Sequence, residues 1–351
     1  MSFRFNAVSA ILAFGSAVLM PQVAQAQTYQ MEILQPLHNY DDLRLFSLDE
    51  HSVASGINIV GSSESTLVTR WKNAQPKVLN DPQKKKLGTQ FDYAYRSANK
   101  GYMVASNYAR VRSVLWRPDG SVVDLVSMAP EGSPCECMAK DVDDAGHVLG
   151  NVSVAGVQHA ALWKDPAQPP ILLPTKSGVV GADVVSSANN GWAVGWWQDE
   201  KFNRRPVVWQ KTKMQDLGDL QDLEGAGLSS VNANGTAGGT AWQEESGRYL
   251  PFLWRAGKLT WLAAGKSDDC QVTAVSDAEI AVGRCNGTAV IWKGDKLVQL
   301  SNHLDAASQA AGWYVAASVA INSAGVILAG VYNRYADTNF ANYALLKPTA
   351  E

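Results

Sequence analysis

The residues best equipped for chemistry fall in short polar loops, each following a Gly-rich segment. They are Trp196-Trp197-Gln198-Asp199-Glu200-Lys201-Phe202-Asn203-Arg204-Arg205, Trp242-Gln243-Glu244-Glu245, Tyr332-Asn333-Arg334-Tyr335 and Tyr108-Ala109-Arg110-Val111-Arg112. Aromatic rings offer flat faces for stacking, and Arg, Asn and Gln beside them supply polar contacts, a mixture suited to sugars and peptides. Trp196, Trp197, Arg204, Arg205, Trp242, Tyr332, Arg334 and Tyr335 are therefore the candidate ligand-binding residues. The competing account is that Trp196, Trp242 and Tyr332 pack inside the protein while the charges solvate the loops.

Covalent and metal chemistry find less support. No G-x-S-x-G elbow and no HExxH pair occurs, and the five histidines (His38, His51, His147, His159, His303) are scattered. His303 near Asp305 is the best of them and reads as a surface pair. The stretch Asp141 to Gly146 begins like a calcium loop but has Ala145 at position five and Val152 at position twelve, so it reads as a turn. Asp199-Glu200 and Glu244-Glu245 are carboxylate pairs only in the sense that 33 acidic residues offer many. Neither catalytic residues, metal nor cofactor is expected.

The four cysteines behave differently. Cys270 and Cys285 flank two short apolar runs joined by Ser276-Asp277-Ala278-Glu279. If Ser276 faces Glu279 across a tight hairpin, the same register sets Cys270 opposite Cys285, within bridging distance in a non-hydrogen-bonded pair. A disulfide is expected there. Cys135-Glu136-Cys137 is either a local bridge or two free thiols.

Disulfides suit an exported chain, and the N-terminus agrees. Arg4 precedes an apolar run from Ala7 to Met20, Pro21, and the small-residue site Ala24-Gln25-Ala26, the layout of a cleaved signal peptide. Cleavage after Ala26 leaves residues 27–351, with no further apolar stretch long enough to span a membrane. Loss of the leader takes the formal charge from −3 to −4. That is too mild for a polyanion partner, and no basic stripe suggests nucleic acid. Lys84-Lys85-Lys86 reads as a solvated loop tip.

What must position the loops is a repeat. Trp71, Trp116, Trp163, Trp209, Trp254 and Trp292 recur at spacings of 45, 47, 46, 45 and 38 residues, and Leu346 holds the seventh place after 54 more. A turn cluster precedes each, such as Asp143-Asp144-Ala145-Gly146 or Asn232-Ala233-Asn234-Gly235, with residues that tolerate positive φ. Apolar runs rich in Val, Ala and Gly flank each turn and read as buried strands. One more short strand follows each Trp, as in PKVLN and KLVQL. Four strands in roughly 45 residues match a propeller blade, and closing a ring hides sheet edges. Met31 to Leu37 is an outer strand without a blade, and the last unit lacks one, so pairing them closes a seven-bladed β-propeller in a single domain. A linear β-solenoid is the alternative.

The last unit, with Leu300-Ser301-Asn302-His303-Leu304, Gly312-Trp313-Tyr314 and Ala320-Ile321-Asn322-Ser323-Ala324-Gly325, resembles the bacterial HAF repeat of exported proteins. Pro251-Phe252-Leu253-Trp254 and Ala160-Ala161-Leu162-Trp163 match that repeat's final strand. The likeness spans all seven units, weakest in the first two, and implies export and a propeller-like fold without catalytic residues. The expectation is a monomeric, periplasmic or extracellular binding module for a glycan, peptide or protein ligand. The alternatives are a polysaccharide lyase or hydrolase with a central pocket, and a scaffold of an envelope complex.

Overall fold

The chain forms seven antiparallel sheets of four strands, six of which take their strands in chain order from the innermost outward. The computed structural model describes residues 27–37, 42–60, 65–79, 93–107, 112–128, 130, 132–133, 135–220, 223, 225–336 and 342–349. Residues 1–26, where a leader is expected, His38, the Lys84–Lys86 run and the loop residues Tyr108 to Val111 lie outside these.

The blades comprise residues 42–78, 93–124, 136–172, 179–214, 227–261, 270–299 and 313–348. The seventh is completed by Tyr29–Ile33, which pairs antiparallel with Asn342–Pro348 in a register that sets Met31 opposite Leu346. The closing strand thus starts two residues earlier than the sequence suggests and ends at Ile33. Past it, Leu34 N donates to Tyr343 O and Gln35 N to Ala74 O, tying blade 7 to blade 1.

Seven apolar clusters hold the ring, one at each junction between neighbouring blades. The repeated Trp belongs to these junctions. All six indoles are buried, and among the described residues Trp71, Trp163, Trp209, Trp254 and Trp292 donate from Nε1 to the chain segment leaving the previous blade's outer strand. Trp71 reaches Gln35 O at 2.8 Å, Trp209 Pro174 O at 2.7 Å, Trp254 Leu217 O at 2.8 Å and Trp292 Ala263 O at 2.7 Å, with Trp163 at 3.4 Å from Val126 O. A Trp recurs here because the slot needs a large apolar body with one donor at its far end. Leu346 fills the seventh slot with bulk alone.

Asp and Asn in the turns do more than tolerate unusual φ. Asp49, Asp143 and Asn232 each accept from the backbone N–H groups two and four residues on, at 2.8–3.0 Å, as Asx turns. The positive φ falls two residues before the next strand, on Gly146 or Gly235 at 81° and, in blade 6, which lacks the Gly, on Glu279 at 59°. Asp141 and Asp143 consequently serve different ends. Asp143 caps its own turn, while buried Asp141 accepts from Ser187 N of blade 4 at 2.5 Å.

The innermost strands carry a feature the sequence pattern does not announce. Each has a β-bulge, and in six blades the extra residue lines a central cavity of 190 Å³: Phe46, Lys140, Val185, Ser229, Thr273 and Val319. Beside the bulge the second strand of blades 1, 3, 4, 5 and 6 holds a Gly. A Cβ at Gly150 or Gly195 would come within 1.9 Å of the inner strand's Met138 or Asp183 carbonyl oxygen. Gly at this place permits the bulge, which in turn aims one side chain at the axis.

All four cysteines are paired. Cys270 and Cys285 face each other with Cα atoms 4.1 Å apart, and Cys135 bonds Cys137. The first pair faces as expected although its hairpin is longer than expected, running from Ser276 to Ile280. The bulge at Thr273 shifts the register back by one and restores the pairing.

Candidate functional site

The propeller has two ends. One carries the Asx turns between first and second strands. The other carries the loops between second and third strands, where every candidate binding residue lies. Topology alone brings these loops to one end, because alternate connections of an antiparallel blade emerge together.

Trp196 and Arg204 meet at the mouth of blade 4. The Arg204 guanidinium lies 4.1 Å from the Trp196 ring centre, a cation–π stack. Asp199 builds the bend between them. Its carboxylate accepts from Lys201 N and Asn203 N, both at 2.9 Å, and Gln198 Nε2 donates to Phe202 O. The Asn203 backbone N–H is the largest cause holding the Asp199 carboxyl below its usual pKa, with slight burial opposing it and the Asn203 side chain, Lys201 N–H and Arg205 adding to it. The loop is thus an Asx turn like those of the other end, and it fixes where Arg204 enters the third strand.

Both residues line a cavity of 550 Å³ between blades 3 and 4. Much of its polar lining comes from the inner strands of blades 3 and 4 and from the second strand of blade 3. Lys140, the bulge residue of blade 3, forms an ion pair with Asp183 of blade 4, and Asn151 Nδ2 donates to the other Asp183 oxygen at 2.9 Å. Asp183 is only 5% exposed and Lys140 is largely covered, so the pair is an interior one. Lys140 also lines the central cavity, which makes this side pocket and the axis neighbours through one residue.

The other candidates divide. Trp197 faces away from its neighbour and packs on the apolar cluster between blades 3 and 4, with Lys176 Nζ 5.9 Å from its ring centre. Arg205 pairs with it across the hairpin. Trp242 is 43% exposed and meets Tyr249 edge-on at 4.9 Å. Tyr332 stacks on Tyr314 at 5.6 Å, and Arg334 covers the same Tyr314 ring at 5.5 Å. Tyr335 is 77% exposed. The sequence thus locates three aromatic groups, on blades 4, 5 and 7, of which one opens on a cavity. Lys140, Asn151, Asp183, Tyr249 and Tyr314 escape a sequence reading. The available signal was Asp183, a lone acid in the inner-strand run GADVVSSA.

His303 and Asp305 do not form the expected pair. His303 Nδ1 lies 3.0 Å from Gln27 O, and Asp305 caps the short helix Ala306–Ala310. Burial pushes the Asp305 carboxyl up, but hydrogen bonds from Ser308 Oγ and the N–H groups of Ser308, Met31 and Ala307 outweigh it and leave the pKa lowered.

Among the described residues no helix is long and apolar enough to cross a membrane. No family model matches the chain, and no curated protein sequence matches it. Solved structures do resemble it. A catalytically inactive virginiamycin B lyase from Staphylococcus aureus with quinupristin superposes with a TM-score of 0.53 at 6% identity, over 91% of this chain and 99% of that one. A selenomethionine-substituted virginiamycin B lyase from the same organism gives 0.50 at 6% identity, over 92% and 99%. TolB from Acinetobacter baumannii gives 0.43 at 9% identity, over 86% and 65%. At such identities the first two bear on architecture alone, and they agree with a seven-bladed β-propeller.

Proposed function

We propose that the protein is an exported recognition module of the HAF-repeat kind. Its ligand, a glycan or peptide segment, would bind at the loop end, in the 550 Å³ cavity between blades 3 and 4. The observation that carries this reading is the cavity itself: a Trp196–Arg204 stack at its mouth over a buried Lys140–Asp183–Asn151 network. A pocket of that volume with an aromatic lip and a few fixed polar groups is the usual form of a small-ligand site. The preorganised network costs little further ordering when a polar ligand enters. Two disulfides support a place outside the cytoplasm, with the leader at 1–26 cleaved. Trp242 and the Tyr314–Tyr332–Arg334 group extend the contact surface for longer ligands.

The test is to incubate residues 27–351 with a panel of envelope and extracellular polysaccharides and peptidoglycan-derived peptides, scoring retention and released product together. Retention without product is expected, weakened at least tenfold by Trp196→Ala and by Arg204→Ala. Product formation would overturn the binding module in favour of a lyase or hydrolase. Retention unchanged in both variants would remove the cavity from the reading.

A further inference from the structure

The junction between blades 3 and 4 holds a second cavity, of 570 Å³, at the opposite end from the loops. The repeat itself shows what is missing there. In four blades the residue after the inner turn, at or just before the start of the second strand, reaches toward the next blade. Tyr102 does so from blade 2, and a Cβ at Gly146 of blade 3 would lie 2.9 Å from its ring. Trp192 does so from blade 4, 2.5 Å from a Cβ at Gly235 of blade 5. Ile280 and Val326 fill the same place in the junctions 6–7 and 7–1. Tyr102, Trp192, Ile280 and Val326 all belong to the apolar cluster of their junction.

In blade 3 this place is held by the polar His147, which lines the cavity. Its Nδ1 sits 2.8 Å from Asp143 Oδ2, which draws the ring back onto its own turn. Gly191, which should receive the wedge, is approached instead by its own blade's Lys211. The vacated space keeps an apolar wall, Leu149 and Leu162, and has Lys164, Lys211 and Gln210 at its margin. The facing acid is Asp143, whose oxygens are already taken by His147 and by the N–H groups of Ala145 and His147. Lys164 and Lys211, both exposed, therefore line a cavity whose carboxylate, Asp143, already accepts three hydrogen bonds.

We propose that this cavity binds a planar aromatic acid, its ring taking the place that Tyr102 and Trp192 occupy in neighbouring junctions and its carboxylate meeting Lys164 and Lys211. An aromatic ring gains from the leucine wall the burial that the chain's own wedge gains elsewhere. The lysines supply charge complementarity that a neutral ring would not use. The site shares no residue with the loop-end pocket.

Indole-3-acetate is the probe, titrated by calorimetry into residues 27–351, with indole-3-acetamide as its uncharged counterpart. Saturable binding is expected, at least tenfold tighter for the acid. His147→Trp, which supplies the missing wedge, should abolish binding and raise Tm. The pair Lys164→Gln and Lys211→Gln should bring the acid down to the level of the amide without touching the fold. Trp196→Ala should leave the affinity unchanged, which keeps this outcome separate from that of the loop end. No binding at millimolar probe, or equal binding in His147→Trp, overturns the site; equal affinity for acid and amide overturns the anion half of it. Should His147→Trp fail to fold, His147→Tyr, copying blade 2, gives the same discrimination.

Discussion

At the turn end of the propeller the blades meet through nearly interchangeable residues, while at the loop end each blade finishes differently. The turn end is laced from blade to blade. Glu50 N donates to Asn99 Oδ1, Asn99 Nδ2 to Asp144 Oδ2, Asp144 N to Asn189 Oδ1, Asn190 Nδ2 to Ala233 O, Ala233 N to Asp277 Oδ1 and Ser323 N to Glu50 Oε2, all at 2.7–3.1 Å. These bonds leave a void of only 50 Å³ beneath them. The loop end has the 550 Å³ cavity and the exposed rings of Trp242 and Tyr335. Where the chain repeats itself it is building the ring. Where it departs from the repeat, in the loops and at His147, it leaves room for something else.

Substitutions should break this contrast in a definite order. Trp254→Ala removes a fully buried indole from the junction of blades 4 and 5 and leaves Leu217 O without its donor. A loss of about 3–5 kcal/mol is expected, measured by urea unfolding. A cost under about 1 kcal/mol would mean that the repeated Trp is not what joins the blades. Removing the Cys270–Cys285 bridge as a double Ser variant opens a 15-residue loop. It should cost about 3 kcal/mol, seen as a lower thermal midpoint that the reductant-treated wild type shares.

Asp277→Ala strips one lace, the bond from Ala233 N, for about 1 kcal/mol. At the loop end Trp242→Ala and Tyr335→Ala should stay within about 0.5 kcal/mol of wild type while altering ligand retention. Destabilisation comparable to Trp254→Ala at either position would erase the distinction between the two ends.

The smallest effect separates the ends by pH. Burial raises the Asp49 carboxyl above its ordinary pKa, against N–H donation from Val53 and His51 and the charges of His51 and Arg70. The folded state therefore holds that proton more tightly, so this group's contribution to stability falls as pH rises from the ordinary carboxylate value through the raised one. Asp199 at the loop end is lowered, so its contribution is present above the ordinary value and fades as pH drops through the lowered one. Urea midpoints followed from pH 3 to 7 should show Asp49→Asn and Asp199→Asn changing the slope in opposite directions. Slopes shifting the same way would show that burial does not dominate at Asp49.

Much of the ring was legible because it is periodic. Six tryptophans in one slot, a turn cluster before each and a surplus strand at one end against a missing strand at the other lead to seven closed blades without coordinates. The Cys270–Cys285 pairing was legible by a cancellation: the turn is one residue longer than its sequence suggests, and the Thr273 bulge takes that residue back. The floor of the candidate site was not legible. Lys140, Asn151 and Asp183 come from two units and three strands, and Lys140 reaches Asp183 from a bulge. Bulges follow from close backbone approach across a Gly, and although Gly150, Gly195, Gly239 and Gly283 recur with the repeat, their spacing does not say which side chain the bulge aims at the axis.

Adjacent Trp196 and Trp197 show the same division of labour. Their types and positions marked the loop, but one lines a cavity and the other packs between blades, because successive strand residues face opposite ways. Sequence by itself determined the number of blades, the place of closure, the slots of the core and the end from which polar loops emerge, since each rests on a pattern local to one unit. Tertiary structure alone decided which side chains of different units share a cavity, and where a wedge is missing. Those depend on how two neighbouring sheets stack, and the stacking offset is set by packing between units rather than by anything within one.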